Sequence, residues 1–208
     1  MGTRPLAIDL YCGLGGWTEG LLAAGFDVIG FDIEQHVYGA DRYPAQLVVQ
    51  DVLTLHGSQF KTAYLIVASP PYQQFSFSAM PFKASKAIVP STELFDACFR
   101  IQREASEAAR RPIPMVVENV RGAVRWVGQP RWNCGAYYLW GDVPALMPPV
   151  QGRKLGGSWF HGYRAGAQGP RNHGSGSKAR KAASAKIAKI PFALAEWIGR
   201  AWMPYPDK

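Results

Sequence analysis

The sequence predicts an α/β fold: a mostly parallel sheet with helices on both faces, followed by a small, basic, irregular subdomain. Three observations carry this expectation. Short apolar runs alternate with helix-like segments up to residue 119, the pattern of strand–helix–strand units joined by right-handed crossovers. The apolar runs end on glycine-rich or polar residues, where open parallel sheets hold their ligands. Near residue 150 the apolar periodicity gives way to Gly, Ser, Arg and Lys.

Residues 6–11 are an apolar strand running into Cys12-Gly13-Leu14-Gly15-Gly16, a glycine turn. Residues 17–24 follow as a helix closed by Gly25. Strands are expected at 26–31, ending at Asp32; at 46–49, ending at Asp51; and at 64–68, ending at Ser69-Pro70-Pro71. Residues 91–110 form the longest helix, with Leu94, Cys98, Ile101, Ala105 and Ala108 on one face, so Cys98 belongs to the core. Pro112 and Pro114 mark its exit, and 115–117 is a fifth strand ending at Glu118-Asn119. Cys134 is expected at a strand start. Residues 152–189 read as loops, with Trp159, Phe160 and Tyr163 among the charges, and 187–202 as one amphipathic helix that buries Ile187, Leu194, Ile198 and Trp202. The expected division is a catalytic domain over 1–145, a basic contact region over 146–185 and a returning helix over 186–208.

The 208 residues suit one domain with a modest appendage. No apolar run is long enough to span a bilayer, and Met-Gly-Thr-Arg-Pro lacks the apolar stretch of a signal peptide. Cys12, Cys98 and Cys134 show no pairing pattern. Their spacing and a leaderless start point to a cytoplasmic setting. His36, His56, His161 and His173 are scattered, so no metal is expected. The net charge of +8 is uneven: no acidic residue occurs from 143 to 195, where Arg153, Lys154, Arg164, Arg171, Lys178, Arg180, Lys181, Lys186 and Lys189 lie. Such a stretch suits a polyanion such as nucleic acid, or a solvated basic surface.

The glycine turn after Asp9 permits close backbone approach to a ligand, and the following helix offers free N–H groups. Asp32, at the end of the second strand, can accept two hydrogen bonds from a ribose diol. Asp51 can accept from an adenine amino group. Taken alone, either aspartate could equally cap a turn.

Residues 9–16, the strand to Asp32, Gln50-Asp51-Val52, Ser69-Pro-Pro-Tyr-Gln-Gln-Phe-Ser76 and Val116-Val-Glu-Asn-Val-Arg121 come in the order of the cytosine-C5 DNA methyltransferase family, which the chain resembles over most of 5–125. The tail from Ile190 to Ile198 is similar to that family's C-terminal helix, and the whole resembles its short, phage-type members. The resemblance implies a Rossmann-like class I methyltransferase fold and S-adenosylmethionine as cofactor. It places the methionine end at Gly13–Gly16, the ribose at Asp32 and the adenine at Asp51. It counts Asp9, Tyr11, Cys12, Gly13, Gly15, Gly16, Ile33 and Val52 with them as cofactor-binding. The implied partner is double-stranded DNA with the target cytosine flipped out, in a bacterial or phage-infected cell. Monomer and homodimer both stay open.

One position departs from the family. Its fourth motif reads Pro-Cys-Gln, and the cysteine attacks cytosine C6 so that C5 becomes nucleophilic. Here that position is Tyr72, a phenol with an ordinary pKa of about 10 and a poor nucleophile for this addition. Ser69-Pro70-Pro71-Tyr72 is instead the motif of amino-methyltransferases that make N4-methylcytosine. In that chemistry Ser69 and the Pro70 carbonyl accept hydrogen bonds from the exocyclic amino group, the prolines fix the backbone, and Tyr72 stacks on the base. Glu118 would contact the N3/N4 edge of cytosine; the alternative is a buried carboxylate paired with Arg121 or Arg125. Gln73, Gln74, Ser76 and Arg121 would border the DNA, and Arg153, Lys154, Lys178, Arg180 and Lys181 would meet its phosphates. A loop over 75–86 could close on the base. Three readings follow: an N4-cytosine methyltransferase, a C5 enzyme inactivated by a Cys-to-Tyr change, and a site-masking relic that binds DNA.

Overall fold

A computed structural model of the chain describes residues 3–75, 89–148, 173–174 and 176–204. Five parallel strands run from one edge of the sheet inward: β1 (Leu6–Leu10), β2 (Asp27–Asp32), β5 (Gln46–Val49), β6 (Ala63–Ala68) and β7 (Met115–Asn119). Two antiparallel strands, β8 (Trp132–Cys134) and β9 (Tyr137–Gly141), extend it, giving the order β5-β2-β1-β6-β7-β9-β8. A separate small hairpin pairs β3 (Val37–Tyr38) with β4 (Asp41–Arg42).

The central strands are apolar on both faces because each face is covered. One face packs against α1 (Gly16–Ala24) and α5 (Phe192–Ala201), burying Trp17, Leu21, Leu65, Val67, Val116, Leu194 and Ile198. The other packs against α2 (Glu93–Ala109), with Phe95, Cys98, Ile101 and Ala105 in the core beside Ile66, Val117 and Trp140. The expected stripe on α2 therefore holds at Cys98, Ile101 and Ala105, whereas Ala108 is exposed and Phe95 is buried. A single helical turn, α3 (Val124–Val127), follows β7.

After β1 the chain builds outward to β2 and β5, then returns to the other side of β1 as β6. The carboxyl ends of β1 and β6 thus flank a topological switch point, where an open sheet leaves a crevice.

Three expectations need correction. The tail is not one helix over 187–202: α4 (Lys178–Ala188) and α5 are separate, divided at Lys189–Pro191. Proline has no N–H to donate and its ring clashes with the preceding turn, so a helix starts beside it rather than running through it. The segment before residue 189 is not all loop, because α4 is helical and Ser177 caps it by accepting from the Arg180 N–H. Cys134 ends β8 rather than starting a strand.

Close contact at glycines holds α5 and its approach against α1. A Cβ on Gly16 would collide with the Ile190 backbone nitrogen, and one on Gly20 with the backbone of Glu196. Among the described residues no helix is long and apolar enough to cross a membrane.

Candidate active site

The turn after β1 is wound tightly. Tyr11, Gly13 and Gly15 all have positive φ, at 57°, 51° and 77°. For Tyr11 that conformation costs about 1–2 kcal/mol, offset by its hydroxyl, which donates to the Leu94 carbonyl at 2.9 Å. Cys12 N–H donates to the Phe31 carbonyl and Gly15 N–H to the Cys12 carbonyl. No side chain caps the N-terminus of α1, so its first N–H groups suit an anionic ligand group.

The cavity above this turn has a volume of about 540 Å³, within the range of roughly 300–1,000 Å³ for small-molecule sites. Its wall includes Tyr11, Cys12, Gly13, Leu14, Gly16 and Trp17 from the turn and α1, with Asp32 and Ile33 from the end of β2. Ser69, Pro71, Tyr72 and Gln73 contribute from the end of β6. Three strand ends therefore meet in one crevice.

Asp32 is its fixed acceptor. Its Oδ2 accepts from Gly13 N–H at 2.9 Å and its Oδ1 from Glu34 N–H at 3.3 Å, with His36 Nε2 at 3.4 Å from Oδ1. Burial raises its pKa, but the hydrogen bonds from His36, Gly13 and Glu34 outweigh burial and hold the carboxyl below its usual range. The same contact with Asp32 raises the pKa of His36.

Asp9 is different. It is fully buried beneath the turn; its Oδ2 accepts from Thr18 Oγ1 at 2.7 Å, and Thr18 also meets the Tyr43 hydroxyl at 2.6 Å. Oδ1 has no hydrogen-bond partner among the described residues. Burial pushes the carboxyl up to about 7. Cys12 lines the cavity but is itself buried, and burial followed by the charges of Asp9 and Asp32 drives its thiol pKa upward. It is poorly suited to act as a thiolate.

The Ser69-Pro-Pro-Tyr segment is braced from two sides. Trp17 Nε1–H donates to Ser69 Oγ at 3.0 Å, and the Ser69 N–H donates to the Leu10 carbonyl. From β7, Asn119 Nδ2–H donates to the Pro70 carbonyl at 2.9 Å, while Asn119 Oδ1 accepts from Val120 N–H. Tyr72 then opens a short 3-10 turn, Tyr72–Gln74. Glu118 is 6% exposed on β7 next to Asn119, and forms no ion pair with Arg121 or Arg125.

Of the expected cofactor residues, the structure brings Tyr11, Cys12, Gly13, Gly16, Asp32 and Ile33 to the cavity wall; Asp9, Gly15, Asp51 and Val52 are not part of it. Asp51 caps the 3-10 turn Val52–Thr54, its Oδ1 accepting from Leu53 N–H at 2.9 Å. Arg180 and Lys181, expected at DNA, line this cavity from α4 together with Ser184 and Ala185, and Lys189 joins them from just beyond the helix. Sequence reasoning missed Trp17, His36 and Tyr38. The i, i+4 spacing of Asp32 and His36 was the available signal for the second. Ser76, Arg153, Lys154 and most of the expected loop over 75–86 lie outside the described residues; Lys178 is exposed on α4 and Gln73 is exposed at the mouth. No cluster of metal-binding side chains occurs among the described residues.

The donor set fits S-adenosylmethionine. A Cβ on Gly13 would meet nothing within 4 Å, leaving room for a ligand beside the turn. The Asp32 carboxylate suits a diol, the α1 N–H groups suit a carboxylate, and the rings of Tyr11, Trp17 and Tyr72 suit a sulfonium.

The sequence model of the C-5 cytosine-specific DNA methylases matches residues 6–127. No curated protein matches the chain. Among solved structures, the chain is similar to a protein described as a DNA modification methyltransferase encoded within an E. coli prophage. That match has 26% identity over 59% of this chain and 34% of that one, with a TM-score of 0.41. The S. pombe Dnmt2 methyltransferase is 20% identical over 59% of this chain and 36% of its own, with a TM-score of 0.38. The Entamoeba histolytica methyltransferase EhMeth is 16% identical over 60% and 40%, with a TM-score of 0.41. The chain thus spans well under two thirds of the length of each.

Proposed function

The chain belongs to the C-5 cytosine-specific DNA methylase family, and we propose that it methylates cytosine in DNA, at the exocyclic N4 nitrogen rather than at C5. The observation that carries the choice of atom is Tyr72 on the cavity wall, at the position where the resemblance puts the family's thiol. The three cysteines offer no replacement. Cys98 is in the core under α2, Cys134 lies on the edge strand β8, and the Cys12 thiol is held protonated.

S-adenosylmethionine, the cofactor of this class, supplies an electrophilic sulfonium methyl group when bound. The chain's own residues do the rest. Gly13 and the α1 N-terminus hold the methionine end and Asp32 the ribose. Tyr72 stacks on the flipped cytosine. The hydroxyl of Ser69 spends one lone pair on Trp17 and keeps the second to accept from the target amino group. Pro70 is buried and not part of the cavity wall; its carbonyl has one lone pair engaged by Asn119 and would offer the second only as the base enters beside it. Drawing the amino protons toward these acceptors would localise the nitrogen lone pair for attack, and the proton that N4 must lose on methylation would pass along the Ser69 hydrogen bond to solvent. Glu118 selects cytosine at its N3/N4 edge.

Family membership favours a second reading, in which the scaffold is built for C5 and Tyr72 has replaced its nucleophile. Tyr72→Cys separates the two on DNA carrying 5-fluorocytosine, which traps a C6 adduct. The N4 reading expects methylation by the wild type and no covalent complex with either protein. A denaturation-resistant complex with Tyr72→Cys, from a wild type that transfers no methyl group, would favour the second reading.

A further inference from the structure

The structure redistributes the basic charge that the sequence assigns to DNA. On α4, Lys181 Nζ lies 3.8 Å from Glu34 and Lys186 Nζ 2.7 Å from Asp41; just beyond the helix, Lys189 Nζ lies 2.6 Å from Glu19. Each cation is neutralised locally by an acid of the catalytic domain. The helix is held against that domain, over the cavity.

In the segment that follows β7 the situation is reversed. From residue 119 to 141 the chain has no acidic residue. Arg121, Arg125 and Arg131 are exposed there, and none forms an ion pair with the described residues. Their backbone is anchored. A Cβ on Gly122 would collide with the Phe75 carbonyl, so the turn bearing Arg121 abuts the segment that carries Tyr72. Arg125 follows four residues on, in α3, about 6 Å further along a helical path. Its guanidinium sits 5.1 Å from the Trp126 ring centroid, which limits its freedom. Arg131 N–H donates to the Leu139 carbonyl, and Trp140 Nε1–H to the Gly128 carbonyl, tying the following loop to β9.

We infer that Arg121, Arg125 and Arg131 form the surface that takes the phosphate backbone of the substrate duplex, running from the turn beside Phe75 to the β8 edge of the sheet. The inference rests on the DNA reading above and names the face on which the duplex lies. Three guanidiniums without an ion-pair partner among the described residues, on an anchored backbone, present donors and net charge, whereas the paired Lys181 and Lys186 of α4 present less of either.

The test is equilibrium binding of the full chain to a fluorescent duplex across a salt series. Removing one neutralised phosphate lowers the slope of log K against log salt by about 0.9. The triple variant Arg121→Gln/Arg125→Gln/Arg131→Gln is expected to reduce the slope by about 2–3 units and to bind at least tenfold more weakly in low salt. Lys181→Gln/Lys186→Gln is expected to change the slope by less than about one unit. Thermal melting of each variant checks that the fold is kept. An unchanged slope in the arginine variant, with duplex binding intact in the wild type, overturns the inference and leaves the function standing. A wild type that binds single-stranded RNA and not the duplex overturns both.

Discussion

The indole N–H of Trp17 donates to Ser69 Oγ at 3.0 Å, tying the first turn of the cofactor-side helix to the residue that follows β6. Trp17 is 2% exposed, and a buried indole N–H needs an acceptor. Because Ser69 is that acceptor, its hydroxyl has one lone pair fixed and one available at the cavity. Ser69→Ala is expected to lower turnover on the order of 10–100-fold, the equivalent of one or two hydrogen bonds made in the transition state, while cofactor affinity is retained. Steady-state kinetics beside calorimetric titration with S-adenosylmethionine measures both. An equal loss of affinity would place Ser69 at the cofactor instead.

Asn119 joins two strand ends. Its amide bridges the Pro70 carbonyl and the Val120 N–H, and it is 1% exposed. Asn119→Ala leaves a buried carbonyl without a partner, and the expected loss is about 1–3 kcal/mol. Urea denaturation should show a lower midpoint with an unchanged slope.

Asp32 is held ionised at the cavity wall by three hydrogen bonds. A ribose diol would exchange with His36 and gain charge-assisted bonds. Asp32→Asn keeps the shape and removes the charge, so S-adenosylmethionine affinity is expected to fall about tenfold or more, read by calorimetry.

Asp9 makes stability depend on pH with a definite sign. Burial raises its folded pKa from 3.8 to about 7. Between those values the folded state holds a proton that the unfolded chain has released. Stability from this group is therefore fully present below about pH 4 and lost as pH rises through about 7. Asp9→Asn keeps an acceptor for Thr18 and does not titrate. Its melting temperature relative to wild type should rise progressively from about pH 4 to about pH 8; a constant difference would mean that Asp9 is ionised in the fold.

The central sheet was legible because β1, β2, β6 and β7 are apolar runs ending in glycine or polar residues, and burial on both faces demands that pattern. The glycine turn and Asp32 were legible for the same reason: few residue types suit those backbone and acceptor positions. Of the β8–β9 hairpin only a strand starting at Cys134 was read, although Trp132, Tyr137, Tyr138 and Trp140 are strand formers, since a three-residue strand such as β8 gives too little alternation to read. Helix α4 was missed because Ile187 is its one buried residue among the described positions, leaving Ser177 as its only cue. Charge alone could not reveal that Lys181 and Lys186 face Glu34 and Asp41, because those partners lie far away in sequence. Asp51 shows another limit: the sequence could not tell that its Oδ1 caps the turn that follows.

Transfer to N4 is tested most directly by nucleoside analysis of DNA from a methylation-free host expressing this chain, with chromatography that separates N4-methyl- from 5-methyl-deoxycytidine, which have equal mass. The expected result is an N4-methyl peak that Ser69→Ala and Tyr72→Ala diminish. A 5-methyl peak from the wild-type chain would contradict it.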